Sequence, residues 1–177
     1  AFVAVVAAAA VFVGTMSGVG PVYEKKKASG VATTFAPYDF SRQIAGEDAE
    51  VSMLLAPGEE SHTFEPTAAD IMKIESCDVF VYGGGESDEW VKSMLSSIDT
   101  SKISVVRMMD VTENLGEKTL EGMEQEDEHG HDHGADGEYD EHVWTSPKNA
   151  EKNVLAISKA LCERNAENQE RYEKRTK

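Results

Sequence analysis

DVFVYGGGESDEWVKSMLSSIDTSKISVVRM, residues 78–108, is the stretch of sequence that decides the fold. Residues 78–82 and 103–108 are short apolar runs, which are typical of buried strands. Between them, residues 89–98 carry apolar side chains at helical spacing, namely Trp90, Val91, Met94 and Leu95. A strand, a helix and a second strand in this order predict two parallel strands joined by a crossover helix.

The segments before this unit repeat the same alternation. Residues 31–35 and 51–56 are predicted strands, and residues 37–45 between them are a predicted helix that Pro opens. The sequence TAAD at residues 67–70 is a capping box, which predicts the start of a further helix. The fold class predicted from these segments is α/β, with a four-stranded parallel sheet flanked by helices.

A strongly acidic segment follows the last predicted strand. Between Glu121 and His142 there are ten Asp or Glu residues, four histidines and no Lys or Arg. Residues 116–141 are predicted to form a mobile loop, because they cannot bury enough apolar surface to offset the entropy of ordering. Beyond it, Ser146 and Pro147 are a typical helix start, followed by Ala150, Val154, Ile157 and Leu161 at helical spacing.

The two ends of the chain differ from residues 29–165, which we expect to form one folded lobe. Residues 1–28 open with an uncharged apolar run, typical of a secretory signal or membrane anchor, with a buried core helix as the less favoured alternative. We therefore expect export from the cytoplasm, and a sequence that begins inside the signal. Residues 166–177 are predicted to begin another helix, within which the chain is cut.

The histidines are the residues best suited to chemistry, and all five lie in predicted loops. His62 follows the predicted strand at residues 51–56, and His142 leads from the acidic loop into the next helix. Because loops converge at the carboxyl ends of parallel strands, both imidazoles are candidates to face one crevice. Neutral imidazole suits zinc, and also copper, nickel and iron. The alternative interpretation is that both are ordinary polar loop residues.

A second group of histidines lies in the run EHGHDHG at residues 128–134. His129, His131 and His133 alternate with acidic residues and glycines, a pattern that can fold around a soft cation. We expect at most a weak auxiliary metal site there. A solvated acidic linker with incidental histidines explains the same composition.

Other functional classes are disfavoured. The formal net charge of −16 argues against a nucleic-acid or anionic-membrane partner. The glycines at residues 83–85 are followed by acidic residues that would repel a phosphate. A zinc hydrolase, with Glu59, Glu60 or Glu65 as general base, is the minority hypothesis because no H-E-x-x-H motif is present. Cys77 and Cys162 are too few for a disulfide scaffold, and we predict small buried thiols.

Four motifs in this order resemble one known family: VATTFAPYDF (residues 31–40), PGEESHTFEPT (57–67), DVFVY (78–82) and HVWTSPKNA (142–150). Together they resemble the zinc and manganese substrate-binding proteins of ABC transporters, from about residue 29 to the end of the chain. The resemblance implies two lobes joined by a rigid helix, with the metal between them. It implies that His62 and His142 are the first lobe's two ligands, and that the second lobe supplies the others.

The resemblance also implies the function. We expect an extracytoplasmic zinc receptor, not an enzyme, that acts as a monomer and delivers Zn²⁺ to an ABC permease in the membrane. A manganese receptor of the same family, binding Mn²⁺, and a surface adhesion or metal-buffering protein are the alternatives. Residues 116–141 are similar to the His-rich loop of zinc-selective members, whereas Ser61 and the lack of a lipid-anchoring Cys depart from the family's pattern.

Overall fold

The computed structural model describes residues 27–59, 61–112 and 141–177. Its centre is a four-stranded sheet made of β1 (Ala28–Ala32), β2 (Ala49–Met53), β3 (Val79–Tyr82) and β4 (Ser104–Arg107). The spatial order is β2-β1-β3-β4, and all three neighbouring pairs are parallel. The predicted α/β class and four-stranded parallel sheet are confirmed.

Within the described residues, five α-helices cover the two faces of this sheet. They are α1 (Phe35–Ala45), α2 (Ala68–Glu75), α3 (Glu89–Ser97), α4 (Pro147–Arg164) and α5 (Gln169–Arg175). Short 3₁₀ turns precede α3, follow β4 and precede α4 and α5. Among the described helices, none has the length and apolar composition needed to cross a bilayer.

The core lies in two layers because successive side chains of a strand point to opposite faces. Val79 and Val81 of β3 pack with α1, α4 and α5, whereas Phe80 between them packs with α2 and α3. Phe80 is completely buried. Strands that are buried on both faces read as continuous apolar runs, which is why β3 could be predicted from VFVY alone.

The first strand begins three residues earlier than predicted. Its small residues, Ala28, Ser29 and Gly30, have low strand propensity, so the sequence alone does not mark them as strand. In the fold β1 is a central strand, and the carboxylate of Asp78 fixes its start by accepting hydrogen bonds from Ser29 N at 2.8 Å and Ser29 Oγ at 3.0 Å. Phe35, predicted to end the strand, instead begins α1.

The second strand ends earlier than predicted, at Met53, although its hydrogen bonding to β1 continues. Leu54 N donates to Ala32 O at 2.9 Å and Leu55 N to Thr33 O at 3.1 Å. The capping box at the start of α2 is confirmed: Asp70 N donates to Thr67 Oγ1, and Thr67 N donates to the Asp70 carboxylate.

The start of α4 is predicted correctly, with Ser146 at the N-cap position and Pro147 in the first turn. The Ser146 side chain makes no capping hydrogen bond, however. Its backbone has the extended conformation of an N-cap residue. Both cysteines are free thiols; Cys77 is buried as predicted, whereas Cys162 is only partly buried, so the prediction of burial is wrong for Cys162. Burial raises the pKa of Cys77 to about 12, which leaves its thiol protonated and inert.

Candidate metal centre

The carboxyl ends of β1, β2 and β3 border a cleft of about 600 Å³. In the sheet, β2 lies on one side of β1 and β3 lies on the other. The loops that follow β1 and β3 therefore lead to opposite sides, which leaves a crevice between them at this edge. Ligands of open parallel sheets bind at such a switch point. The cleft walls include Phe35, Leu55, Pro57, Gly84, Ser87, His142 and Trp144.

His62 lies in the loop between β2 and α2, with 56% of its side chain exposed. Its Nδ1 lies 3.4 Å from Ser87 Oγ, and its Nε2 lies 3.7 Å from Glu141 Oε1. The imidazole therefore faces two other loops, one that follows β3 and one that precedes α4. The loop after the second strand thus brings His62 to the carboxyl edge of the sheet.

Glu141 is held against the 3₁₀ turn at residues 86–88. Its Oε1 accepts a hydrogen bond from Ser87 Oγ at 2.6 Å, and its Oε2 accepts one from Ser87 N at 3.2 Å. Only 16% of the Glu141 side chain is exposed. These contacts fasten the segment before α4 to the loop after β3.

His142 follows Glu141 and lines the cleft. Its carbonyl accepts hydrogen bonds from Thr145 N at 3.0 Å and Thr145 Oγ1 at 2.9 Å. Its ring meets the Trp144 ring edge-on, with 5.3 Å between centroids. Since Glu141 contacts His62, the two predicted histidines lie at the same edge of the sheet despite the 80 positions that separate them along the chain (142 − 62).

The buried carboxylate of Asp88 holds the loops after β1 and β3 together at this edge. Asp88 accepts hydrogen bonds from Gly84 N at 2.9 Å and Thr33 Oγ1 at 3.5 Å, and it is almost completely buried. Burial raises the pKa of Asp88 above its ordinary value. Its Oδ2 accepts from the backbone of the glycine turn and from the Thr33 side chain, so Asp88 holds this turn in place.

The remaining predicted residues divide into two groups. His129, His131, His133 and Glu60 lie outside the described residues. Glu59 lines the cleft, where its carboxylate accepts a hydrogen bond from Ala56 N at 2.9 Å. Across the described ranges, no three His, Cys, Asp or Glu side chains are already gathered closely enough to hold a metal ion.

Glu141 is the site residue that sequence reasoning missed. In the sequence it is one of the ten Asp or Glu residues between Glu121 and His142, although it directly precedes His142. Its position next to a candidate ligand was the one available signal.

A known protein family matches most of the chain. Residues 31–177 match the family ZnuA, described as the periplasmic component A of a zinc-uptake complex. The chain belongs to the ZnuA family. The family resemblance drawn from the four motifs is therefore confirmed.

Two relatives illustrate the similarity. The zinc-binding lipoprotein AdcA of Streptococcus pneumoniae is 36% identical over 157 residues, which cover 85% of this chain and 30% of AdcA. The high-affinity zinc uptake system protein ZnuA of Bacillus subtilis is 34% identical over 150 residues, which cover 83% of this chain and 46% of that protein. The chain thus spans less than half the length of these relatives.

Solved structures agree on the fold. Zn(II)-bound AdcA from Streptococcus pneumoniae superposes with a TM-score of 0.67 at 29% identity, over 85% of this chain and 29% of that one. The metal-dependent lipoprotein YcdH from Bacillus subtilis gives a TM-score of 0.68 at 29% identity, over 85% and 49% of the two chains. A Mn-bound periplasmic metal-binding protein of Candidatus Liberibacter asiaticus, at 23% identity and a TM-score of 0.67, shares the fold.

Proposed function

We propose that this chain is the zinc-capturing lobe of an extracytoplasmic receptor that delivers Zn²⁺ to an ABC permease. The observation that carries the proposal is the meeting of the His62 loop with the Glu141–His142 segment at one edge of a parallel sheet. Relatives named as zinc-binding and zinc-uptake proteins support zinc as the cargo. The protein binds and releases the ion, and it is not an enzyme.

The chemistry of the donors suits this cargo. Imidazole nitrogen is a borderline ligand that zinc binds at about 2.0–2.1 Å. Two imidazoles do not complete a tetrahedron, so the proposal requires further donors beyond His62 and His142. The resemblance assigns these to a second lobe, in the part of the relatives' length that this chain does not span.

Substitution of the two histidines tests the proposal. His62→Ala and His142→Ala are each expected to weaken zinc binding more than about 100-fold, because loss of a mere hydrogen-bonding partner of a zinc ligand already costs about 10- to 100-fold. Titration against a competing chelator measures this affinity. Gln43→Ala, an exposed change in the second half of α1, is the matched control and should bind as the wild type does. Wild-type affinity in both histidine variants would refute a site at this edge.

Manganese is the second candidate cargo, and one observation favours it. The carboxylate of Glu141 lies beside His62, and oxygen donors suit Mn²⁺ better than nitrogen donors do. Competition between equal concentrations of the two ions, followed by metal analysis of the protein, separates the candidates. Zinc is expected to displace manganese, as the Irving–Williams order requires for a site with two imidazoles.

We propose an auxiliary role for His129, His131 and His133 as a weak collecting site for the same ion. Replacing all three by Asn should leave the high-affinity step of a zinc titration unchanged and remove a weaker step. A titration with the same number of bound ions before and after the change would show that these histidines bind nothing.

The receptor is proposed to work outside the cytoplasm, as a monomer that docks on the permease. The names of relatives, a lipoprotein and a periplasmic component, support the location. Light scattering of the zinc-loaded protein checks the oligomeric state, and a stable dimer would contradict the proposal.

A further inference from the structure

The loop after β3 contacts both segments that carry the candidate histidines. We propose that Ser87 and Glu141 are positioning residues of the zinc site: their hydrogen bonds hold the segment that carries His142 in place before the ion binds. The inference rests on the proposed function. It assigns to these two side chains an effect on zinc affinity that does not require either of them to touch the metal.

Two hydrogen bonds fix the carboxylate of Glu141. Ser87 Oγ donates to its Oε1 at 2.6 Å, and Ser87 N donates to its Oε2 at 3.2 Å. A planar group that is held through both of its oxygens cannot rotate without breaking one of these bonds. Hydrogen bonds to an ionised acceptor are also the stronger class. Since only 16% of the side chain is exposed, Glu141 is a fixed point of the chain.

His142 is the next residue after this fixed point. Consecutive Cα atoms lie about 3.8 Å apart, so a fixed Glu141 also limits where the backbone of His142 can lie. On the other side of His142, its carbonyl accepts hydrogen bonds from Thr145 N at 3.0 Å and Thr145 Oγ1 at 2.9 Å. The candidate ligand is therefore held from both directions along the chain, and Ser87 supplies the hold on the preceding side.

The loop that carries His62 contacts the same short segment. Phe64 packs against Trp90, with 5.7 Å between the ring centroids and 58° between the ring planes. Nδ1 of His62 lies 3.4 Å from Ser87 Oγ. Ser87 belongs to the 3₁₀ turn before α3, and Trp90 belongs to the first turn of α3. One short element thus supports both segments that carry candidate ligands.

The turn that carries Ser87 is itself anchored in the fold. The carboxylate of Asp88, which is almost completely buried, accepts a hydrogen bond from Gly84 N at 2.9 Å. Gly85 leaves room for Glu141, since an added Cβ would lie 2.5 Å from Cβ of Glu141. Groups that are in place before a ligand arrives lose less conformational freedom when it binds. Loss of the bonds between Ser87 and Glu141 should therefore weaken zinc binding although no donor is removed.

Ser87→Ala tests the inference, with Ser96→Ala as the matched control. Both changes remove a hydroxyl that donates a short hydrogen bond, in the control to Ser93 O at 2.7 Å within α3. Ser87→Ala keeps the bond from the backbone N–H to Glu141, so the fold is expected to persist. It should weaken zinc binding about 10-fold, the lower end of the range for loss of a partner that orients a metal ligand. Titration against a competing chelator measures this affinity, which Ser96→Ala should leave unchanged.

A double-variant cycle separates positioning of the site from a general structural role. Glu141→Ala removes both bonds and should weaken zinc binding about 10- to 100-fold. Addition of Ser87→Ala to Glu141→Ala should change the affinity by less than about twofold, because Ser87 acts through Glu141. Full, independent effects of the two changes in the double variant would refute the inference.

The Co²⁺-loaded protein gives a second measurement, since its visible absorption bands depend on the donors around the metal. The bands should keep their wavelengths in Ser87→Ala and in Glu141→Ala, because a positioning residue is not a donor. A shift in either variant would show that the substituted residue binds the metal itself, and would overturn its positioning role.

The possible outcomes separate the inference from the proposed function. If Ser87→Ala binds zinc as tightly as Ser96→Ala does while His62→Ala loses zinc, the inference is wrong and the function stands. If His62→Ala also binds zinc normally, the proposed function itself fails.

A further variant covers the case in which Glu141→Ala or Ser87→Ala does not fold, which circular dichroism of the metal-free proteins detects. In Glu141→Gln the carbonyl oxygen of the new amide can still accept one of the two hydrogen bonds from Ser87. Because one bond remains, this variant should lose about 10-fold in zinc affinity. Wild-type affinity in Glu141→Gln would refute the inference.

Discussion

Gly85 sets how closely the segment before α4 approaches the loop after β3. Its φ of 83° is in the left-handed region, and an added Cβ would lie 2.5 Å from Cβ of Glu141, so there is no space for a side chain. Because Glu141 in turn contacts His62 and precedes His142, the absence of a side chain at Gly85 allows the two candidate histidines to lie at the same edge of the sheet.

Gly85→Ala is expected to weaken zinc binding, because the new methyl group would displace Glu141 and with it the adjacent candidate ligand His142. Gly58→Ala is the matched control, since Gly58 has a similar φ of 89° but nothing within 4 Å of an added Cβ. Left-handed strain should cost both variants about 1–2 kcal/mol of stability, and the contact with Glu141 should add to the loss in Gly85→Ala. Calorimetric titration and urea unfolding measure the two effects, and equal zinc affinities of the two variants would contradict the role given to Gly85.

Single residues also explain how much of the site could be predicted from the sequence. His62 could be predicted because it follows a recognisable strand, and His142 because it precedes a recognisable helix start. Glu141 could not, since nothing in a run of acids distinguishes one carboxylate from the next. Its contact with Ser87, 54 positions away, singles it out, and that contact exists only once the chain has folded.

At the scale of elements, α5 is fastened to α1 and β2 through the carboxylate of Asp48. Arg175 Nη2 donates to Asp48 Oδ2 at 2.6 Å, and Arg171 also donates to this carboxylate. Arg175 Nη1 donates to the carbonyl oxygens of Ile44 and Ala45, at the carboxyl end of α1. The hydrogen bond from Arg175, with the help of Arg171, lowers the pKa of Asp48 despite its burial.

Asp48→Asn is expected to reduce the free energy of unfolding by about 1.5–3 kcal/mol at neutral pH, since hydrogen bonds to a charged group are lost. The sign of the pH dependence follows from the lowered pKa. The carboxylate stabilises the fold fully above its ordinary value of 3.8, and this contribution is lost as the pH falls through the folded-state pKa. Urea unfolding of both proteins should therefore give a difference that narrows below pH 3.8.

Asp110→Asn is the control for this experiment. Asp110 pairs with Arg107 at 3.1 Å, but both side chains are exposed. Exposed ion pairs contribute about 0–1 kcal/mol, so the control should differ little from the wild type. A pH-independent deficit in Asp48→Asn would show that packing, rather than charge, accounts for the effect.

The sequence predicts which helices and strands exist better than it predicts the residues at which they begin and end. Helix α2 could be placed from TAAD because a capping box is a local signal of adjacent residues. The start of β1 could not, because it depends on Asp78, which lies 49 positions further along the chain.

At the scale of the whole molecule, the two layers of the core follow from strand periodicity, but the order of strands does not. Short apolar runs predict parallel strands and crossover helices without stating which strand is central. The order β2-β1-β3-β4 places β1 between β2 and β3. That order brings the loops after β2 and β3 together and creates the cleft.

The attachment of α5 has a consequence for the timing of biosynthesis. Arg175 lies 127 positions after its partner Asp48, and the phenol ring of Tyr172 is completely enclosed by the same layer of the core. A ribosome has to translate nearly all of these 177 residues before this clasp can close. The clasp between α5 and the carboxylate of Asp48 can therefore form only late in synthesis.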